Sequence, residues 1–329
     1  FELVEFLFAK TISVVADRAR DRETPVAYSN VKKERMKHTL ASRDIPMVLN
    51  TTPSVYATQM GGGAGDARIN VRGFDQRNIA VMINGMPMND MENGWVYWSN
   101  WDGVGDATTS IEMQRGLSAA NLATPAIGGS MNIITDPTAH NSGLLLRQEF
   151  GTGSFLKTTL SGHSGLIDDK WAVSATVVKR TADGIVDATW ADTWAWYVGA
   201  AYNINENHRL ELYGLGAPQR HGQNLYMQNI TTYSREFAKD VGYTAEELAT
   251  FEELGRKYNQ NWAPVSSSYT GQQNWNGSNH SRYDPNFLME RENFFHKPLA
   301  NLNWYAQLSK KVSLYTIAYW SGGHGGGTG

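Results

Sequence analysis

The sequence contains no cysteine, which excludes disulfides and cysteine metal sites and suits a compartment where a stray thiol would be oxidised. It has no run of about 18 apolar residues, so it carries no helical membrane span. Neither sign of charge dominates: 29 Lys and Arg face 32 Asp and Glu, a net charge of −3 at pH 7. Such a balance offers no clustered basic face, and no nucleic-acid partner is expected. Disorder is excluded too, because 41% of the 329 residues are hydrophobic and only 19% are charged. Proline is sparse at 10, whereas Gly 32, Trp 11 and Tyr 15 lean towards β structure with glycine turns. Phe1 to Phe6 has neither a basic n-region nor a long apolar core. The other end, Ser321 to Gly329, stops in a glycine-rich turn after a strand pattern, and the chain is expected to be a piece of something longer.

Catalytic signatures are missing as well. Gly162-His-Ser-Gly165 lacks the residue that a nucleophile elbow needs before its second glycine. Gly61-Gly-Gly-Ala-Gly65 has no following Lys-Ser/Thr, so it is no phosphate loop. His163, His208, His221, His280, His296 and His324 show no metal-ligand spacing, and Asp102 to Asp106 lacks the acidic series of a calcium loop. No enzyme, metal or cofactor is expected.

The character of the chain changes near Pro137. Before it the pattern is mixed. Val31 to Arg43 suits a short helix limited by Pro46, and Gln59 to Asp66 is a glycine loop. Arg68 to Arg72, Ile79 to Ile83, Ser110 to Arg115 and Gly129 to Thr135 read as strands, with Asn84-Gly85 as a turn. This is a small α+β domain. After Asn141 the period is 2. Ala300, Leu302, Trp304, Ala306 and Leu308 share one face, as do Trp194, Trp196, Val198, Ala200 and Tyr202.

Seven such stretches run over 143–151, 154–163, 170–181, 192–203, 207–216, 298–309 and 312–321. Each is near the ~9–11 residues of a tilted transmembrane strand. Aromatics at strand ends, Trp194, Tyr202 and Trp320, suit interface girdles. Connections alternate in length: 164–169, 204–206 and 310–311 are short, while 182–191 and 217–297 are long; only 152–153 breaks the parity. A soluble antiparallel sandwich also alternates, but it would rarely carry a connection as long as 217–297. That loop favours a barrel, and seven strands are too few to close one.

Three blocks in the first 140 residues carry a specific resemblance. Asn70-Val-Arg-Gly-Phe74 with Asn78 to Asp90, then Ile111-Glu-Met-Gln-Arg-Gly-Leu-Ser118, then Ala126-Ile-Gly-Gly-Ser-Met-Asn-Ile-Ile-Thr135 resemble, in order, the signature strands of TonB-dependent receptor plug domains. Asn84, Leu117 and Leu122-Ala123-Thr124 depart from the usual Asp, Pro and Tyr-Gly. With Gly94 to Trp101, these variants look like receptors of the Bacteroides group.

The resemblance implies an α+β plug domain followed by antiparallel transmembrane β-barrel strands, the chain being a fragment of a 22-stranded plugged barrel. It divides the chain into an N-terminal segment (1–23), a plug (24–138) and the first seven or so barrel strands (139–329), with an outer loop at 217–297. The implied function is active import of a scarce nutrient (glycan, peptide or metal chelate) across the outer membrane of a Gram-negative cell. The alternative is a non-transporting surface or adhesion protein on the same scaffold. Implied partners are TonB, outer-membrane lipid and a SusD-like surface lipoprotein.

Thr11, Ile12, Ser13, Val14, Val15 and Ala16 resemble the TonB box, an extended apolar segment that can add to a partner's sheet edge. Arg72 and Arg115 are expected to hold the plug to the barrel wall, since buried arginines need carboxylate or carbonyl partners. Gln59, Asp66, Asp90, Glu92, Trp95, Tyr97, Trp98 and Trp101 fall in the outward loops and are the ligand-contact candidates; the aromatics could instead pack the plug. In the long loop, Thr244-Ala-Glu-Glu247 is a capping box expected to open a helix reaching Tyr258.

Overall fold

The computed structural model describes residues 27–60, 65, 67–116, 126–224, 229–262, 272–275, 278–281 and 291–328. The candidates Thr11 to Ala16 and Asp66 lie outside the described residues.

The N-terminal domain comprises β1 (Ala27–Lys32), α1 (Lys33–Thr39), β2 (Val55–Thr58), β3 (Arg68–Val71), β4 (Phe74–Asp75), β5 (Ile79–Ile83), β6 (Met86–Pro87), β7 (Ser110–Arg115) and β8 (Gly129–Ile134). Its main sheet has the order β1-β7-β8-β5-β6, parallel only between β5 and β8, and β2-β3-β4 form a second small sheet. Every residue of β5 is buried, which is why it reads as a continuous apolar run and not an alternating one. Asn84 and Gly85 both take positive φ, 50° and 80°, the twist a two-residue hairpin requires. Ile111, Met113, Met131 and Ile133 fill the core beneath, with Trp98 and Trp101 from a single 3-10 turn.

The wall comprises β9 (Gly143–Gly151), β10 (Phe155–His163), β11 (Trp171–Ala182), β12 (Ala191–Asn205), β13 (His208–Gly216), β14 (Gln219–Gly222), β17 (Glu292–His296), β18 (Leu299–Ser309), β19 (Val312–Ser321) and β20 (His324–Gly327), while β15 (Gln272–Trp275) and β16 (Ser278–Ser281) pair only with each other. Seven of these form one antiparallel path, β19-β18-β13-β12-β11-β10-β9. The seven alternating stretches are these strands, to within two residues at each end. The sequence pattern missed their continuation: β14, β17 and β20 prolong the wall at the long-connection end. Ala217-Pro218, Lys297-Pro298 and Gly322-Gly323 interrupt the period there, because proline donates no ladder hydrogen bond.

Burial assigns the two faces. Ala172, Ser174, Thr176, Val178 and Arg180 of β11 are covered by the N-terminal domain, whereas Trp171, Val173 and Val177 are exposed. In the same way Lys157, Thr159, Ser161, Thr193, Asn301 and Asn303 point inward, and Leu156, Leu160, Trp194, Val198, Leu212 and Leu302 point out. Polar inside and apolar outside is the reverse of a soluble sandwich and the arrangement of a membrane barrel.

The described residues of the long connection include regular elements. Among them are α2 (Arg235–Asp240) and α3 (Ala245–Thr250). The capping box at Thr244 and Glu247 is present, but the helix stops at Thr250 and does not reach Tyr258. Phe251 is extended, and Leu254 N–H donates to Thr232 O at 3.1 Å, which draws the chain out of the helix. Asn259 fastens the segment to the connection between β11 and β12 by donating to Asp187 O at 2.8 Å.

Candidate functional site

Wall cations meet acids and carbonyls of the enclosed domain along the lumen face. Arg180 of β11 donates through Nη1 to both carboxylate oxygens of Asp102, each at 2.6 Å, and through Nη2 to Ser42 O at 2.9 Å. Thr193, opposite Arg180 on β12, donates to Asp102 Oδ2 at 3.1 Å. Lys157 of β10 donates to Ala41 O at 3.0 Å and pairs with Asp106 at 3.3 Å and Glu149 at 2.9 Å. Arg147 of β9 pairs with the same Asp106. Arg209 of β13 pairs with Asp136 at 3.0 Å and with Glu211 at 2.5 Å. Lys157, Arg180 and Arg209 are all 4% exposed or less. Charges so buried are tolerable only with their partners in place.

The chain lies tight against the wall just after Asp102. Gly103 has φ +83°, and a Cβ there would lie 2.6 Å from Ala195 Cβ and 3.4 Å from Val178 Cβ. Val178 faces Ala195 across β11 and β12, and Arg180 faces Thr193 one step on along the same face. The Asp102-Gly103 turn therefore sits on two neighbouring cross-strand pairs, one apolar and one charged. A second seat lies under the β5–β6 turn. Asn303 Nδ2 donates to Asn84 O at 3.2 Å, and a Cβ on Gly85 would lie 2.6 Å from Tyr315 Oη. Beside it Tyr305 stacks on Tyr315 at 4.8 Å, and Tyr213 and Tyr305 donate to Glu211 at 2.6 and 3.1 Å.

The two arginines expected to face the wall have other neighbours. Arg115 donates to Pro53 O at 3.1 Å and Tyr28 O at 3.3 Å, both in its own domain, because β7 lies beside β1. Arg72 has φ 52° in the β3–β4 turn, and its guanidinium lies over Gly116. The wall contacts run with reversed polarity, the cations on the wall and the acids on the domain it encloses. A signal for this existed: Arg180 shares the inward parity of Ala172 to Val178, where an isolated charge calls for a lumen partner.

The outward candidates separate by burial. Trp98 and Trp101 are each 2% exposed, and Trp98 Nε1 donates to Gln76 Oε1 at 3.1 Å; these two pack the domain and do not face a ligand. Trp95 is half-buried, with the guanidinium carbons of Arg68 and Arg77 each 5.0 Å from its ring centroid. Asp90 is turned onto its own loop, accepting from Glu92 N at 3.0 Å and Asn93 N at 3.1 Å. Tyr97 is 47% exposed, its hydroxyl accepting from Asn93 Nδ2 at 2.9 Å. Glu92 is exposed and Gln59 half-buried. Among the described residues no three His, Asp or Glu side chains gather as a metal site.

Asp44 joins this region to the clamp. It is buried, with both carboxylate oxygens accepting from Gly65 N at 3.0 and 3.1 Å and Oδ2 accepting from Ala67 N at 3.0 Å. Burial, reinforced by Asp102, pushes its carboxyl up to about 6, against the pull of Arg180 and the two backbone donors. Since the folded value lies above the ordinary 3.8, this contribution to stability is complete below about pH 4. It is lost as pH rises through about 6. Thermal unfolding across that window should show a decline of roughly 3 kcal/mol from this group, and Asp44→Asn should flatten it.

Residues 20–130 match the family model described as TonB-dependent Receptor Plug Domain. The whole chain is similar to solved receptors. The closed form of the ferric-catecholate import receptor Fiu from E. coli K12 superposes with TM-score 0.62 at 18% identity, over 95% of this chain and 38% of that one. The ferric yersiniabactin uptake receptor FyuA from Yersinia pestis gives 0.61 at 12% identity, over 92% and 41%. BauA, the ferric preacinetobactin receptor from Acinetobacter baumannii, gives 0.62 at 15%, over 91% and 38%. The chain thus spans about two fifths of the length of these structures. Residues 20–130 carry a TonB-dependent receptor plug domain, and the chain has the fold of that plug set against antiparallel strands of its barrel.

Proposed function

We propose that this chain belongs to an outer-membrane importer of a scarce nutrient, driven by TonB, in which the plug gates the barrel lumen. The observation that carries the reading is the sorting of the wall, with charged residues clamped on the plug inside and apolar residues outside. Aromatic rows mark the membrane edges on the outer face. At one end Trp171 stacks on Tyr202 at 3.9 Å and His208 on Trp304 at 5.9 Å; at the other stand the exposed Trp194 and Trp320. Tyr202 and Trp194 are eight residues apart on β12, which at about 3.3 Å per residue and a tilt near 40° gives roughly 20 Å. An apolar band of about 25 Å is what an outer membrane requires.

Ligand enters at the end of the long connections, where Gln59, Asp66, Asp90, Glu92, Trp95 and Tyr97 are the contact candidates. Its class is a metal chelate, glycan or peptide; the names of the similar structures put ferric chelates first in a screen. The length of the 217–297 connection and the Gly94 to Trp101 run support the finer reading of a Bacteroides-group receptor with a SusD-like lipoprotein over its mouth. Thr11 to Ala16 is the segment offered to TonB.

Cells carrying the full-length receptor as their sole importer should grow on one member of a panel of ferric chelates, oligosaccharides and peptides, and only with TonB present. Growth or surface attachment indifferent to TonB would instead mark a non-transporting adhesin. Val14→Pro should abolish uptake and leave ligand binding unchanged, because proline removes a backbone donor from the added strand. Loss of both would reject the TonB-box assignment.

A further inference from the structure

The geometry points to Asp44 as a coupling residue: its carboxylate ties the end of the outward glycine loop, at Gly65 and Ala67, to the Arg180–Asp102 clamp, so that displacing those two residues loosens the plug's hold on the wall. Gly65 is gripped from two sides. Its N–H donates to Asp44, and its carbonyl accepts from Ser99 N at 2.9 Å, with a Cβ at this position (φ +93°) colliding with Ser99 Cβ and Cα. Ser99 belongs to the 3-10 turn Trp98–Trp101, which runs directly into Asp102. On the other side, Arg180 Nη2 holds Ser42 O, two residues before Asp44. Both paths from Gly65 end at one guanidinium.

The electrostatics give the coupling its direction. Asp44 and Asp102 are two plug carboxylates near a single Arg180, and Asp102 raises the Asp44 value while Arg180 lowers it. The other charged groups around the shared cavity of about 10 Å³ are Arg43, Asp106 and Lys157, and the last two are already paired with each other. With the N–H groups of Gly65 and Ala67 in place, the Asp44 charge is shared between those donors and Arg180. Once the donors are withdrawn, a charged buried Asp44 leans harder on the cations nearest it, the exposed Arg43 and the buried Arg180, and at Arg180 it competes with Asp102. A neutral Asp44 makes no such demand. The coupling should therefore operate near pH 7.5, where Asp44 is charged, and fade near pH 5, below its value of about 6.

The test is hydrogen exchange on purified full-length receptor, without ligand or TonB, reading the amides of Asp102 and Thr108 and correcting for intrinsic pH dependence. At pH 7.5 Ala67→Pro, which removes one donor to Asp44 and leaves the Gly65–Ser99 contact alone, should speed exchange at the clamp roughly tenfold, equivalent to about 1.4 kcal/mol. In an Asp44→Asn background the same substitution should change clamp exchange less than about twofold. In the protein with Asp44 intact the effect of Ala67→Pro should shrink to that level at pH 5. If Ala67→Pro does not assemble, the corrected clamp exchange of the unsubstituted protein replaces it, and should rise more between pH 5 and pH 7.5 than that of Asp44→Asn. An effect that persists in Asp44→Asn, or a pH dependence equal in the two proteins, would overturn the proposal. Its use in gating rests on the transport reading above. A receptor that shows the coupling but no TonB-dependent uptake would refute that reading alone.

Discussion

Arg180→Ala is expected to release the plug from the wall while leaving the barrel assembled. The substitution strips Asp102 of its two 2.6 Å bonds and Ser42 O of a donor, leaving, among the described residues, Thr193 on a nearly buried carboxylate. Breaking a buried pair by removing one partner costs about 3–5 kcal/mol, because the surviving charge is stranded. The loss falls on plug attachment, since β11 keeps its ladder to β10 and β12. Hydrogen exchange should accelerate by roughly two to four orders of magnitude at plug amides near Asp102 and stay unchanged at those of β11. Arg180→Lys should recover part of the loss; a point charge can face Asp102 but cannot also reach Ser42 O with a second fork.

Gly103→Ala is expected to come next in size. A Cβ at φ +83° carries about 1–2 kcal/mol of left-handed strain. Contact with Ala195 Cβ at 2.6 Å adds about 1–3 kcal/mol of overpacking, because β12 is fixed by neighbours on both sides. The two costs can be separated. Ala195→Gly in the same protein relieves the contact and not the strain, so the double variant should regain roughly half the lost stability, measured by thermal unfolding in detergent. Full recovery would show that Gly103 is not held in the left-handed region.

The wall was legible in the sequence because its physics is local. Strands of β10 to β13 alternate with period 2, and the apolar set from Trp194 to Tyr202 is the outward-facing one. What alternation could not reveal was which polar inward residue meets which plug residue. Arg180 and Asp102 are 78 residues apart, and only the register of β11 against β12 brings Thr193 to the same carboxylate. The three sequence blocks identified the plug but put its wall contacts on Arg72 and Arg115, whose partners turn out to be inside the plug. Trp98 and Trp101 stood open between ligand contact and packing for a related reason: a tryptophan-rich loop looks alike whether its rings point out or in. A 3-10 turn places both rings on the core side. The extension by β14, β17 and β20 escaped detection since Pro218, Pro298 and Gly322-Gly323 break the period where the wall continues.

The central claim is that wall cations hold plug acids, with Arg180 and Asp102 the principal pair. A double-mutant cycle on full-length receptor in detergent tests it most directly, with Arg180→Ala, Asp102→Ala and both together read by hydrogen exchange of the plug. A coupling of about 2 kcal/mol or more is predicted, the double variant losing far less than the sum of the singles, because removing both charges strands neither. Effects that add to within about 0.5 kcal/mol would contradict the account.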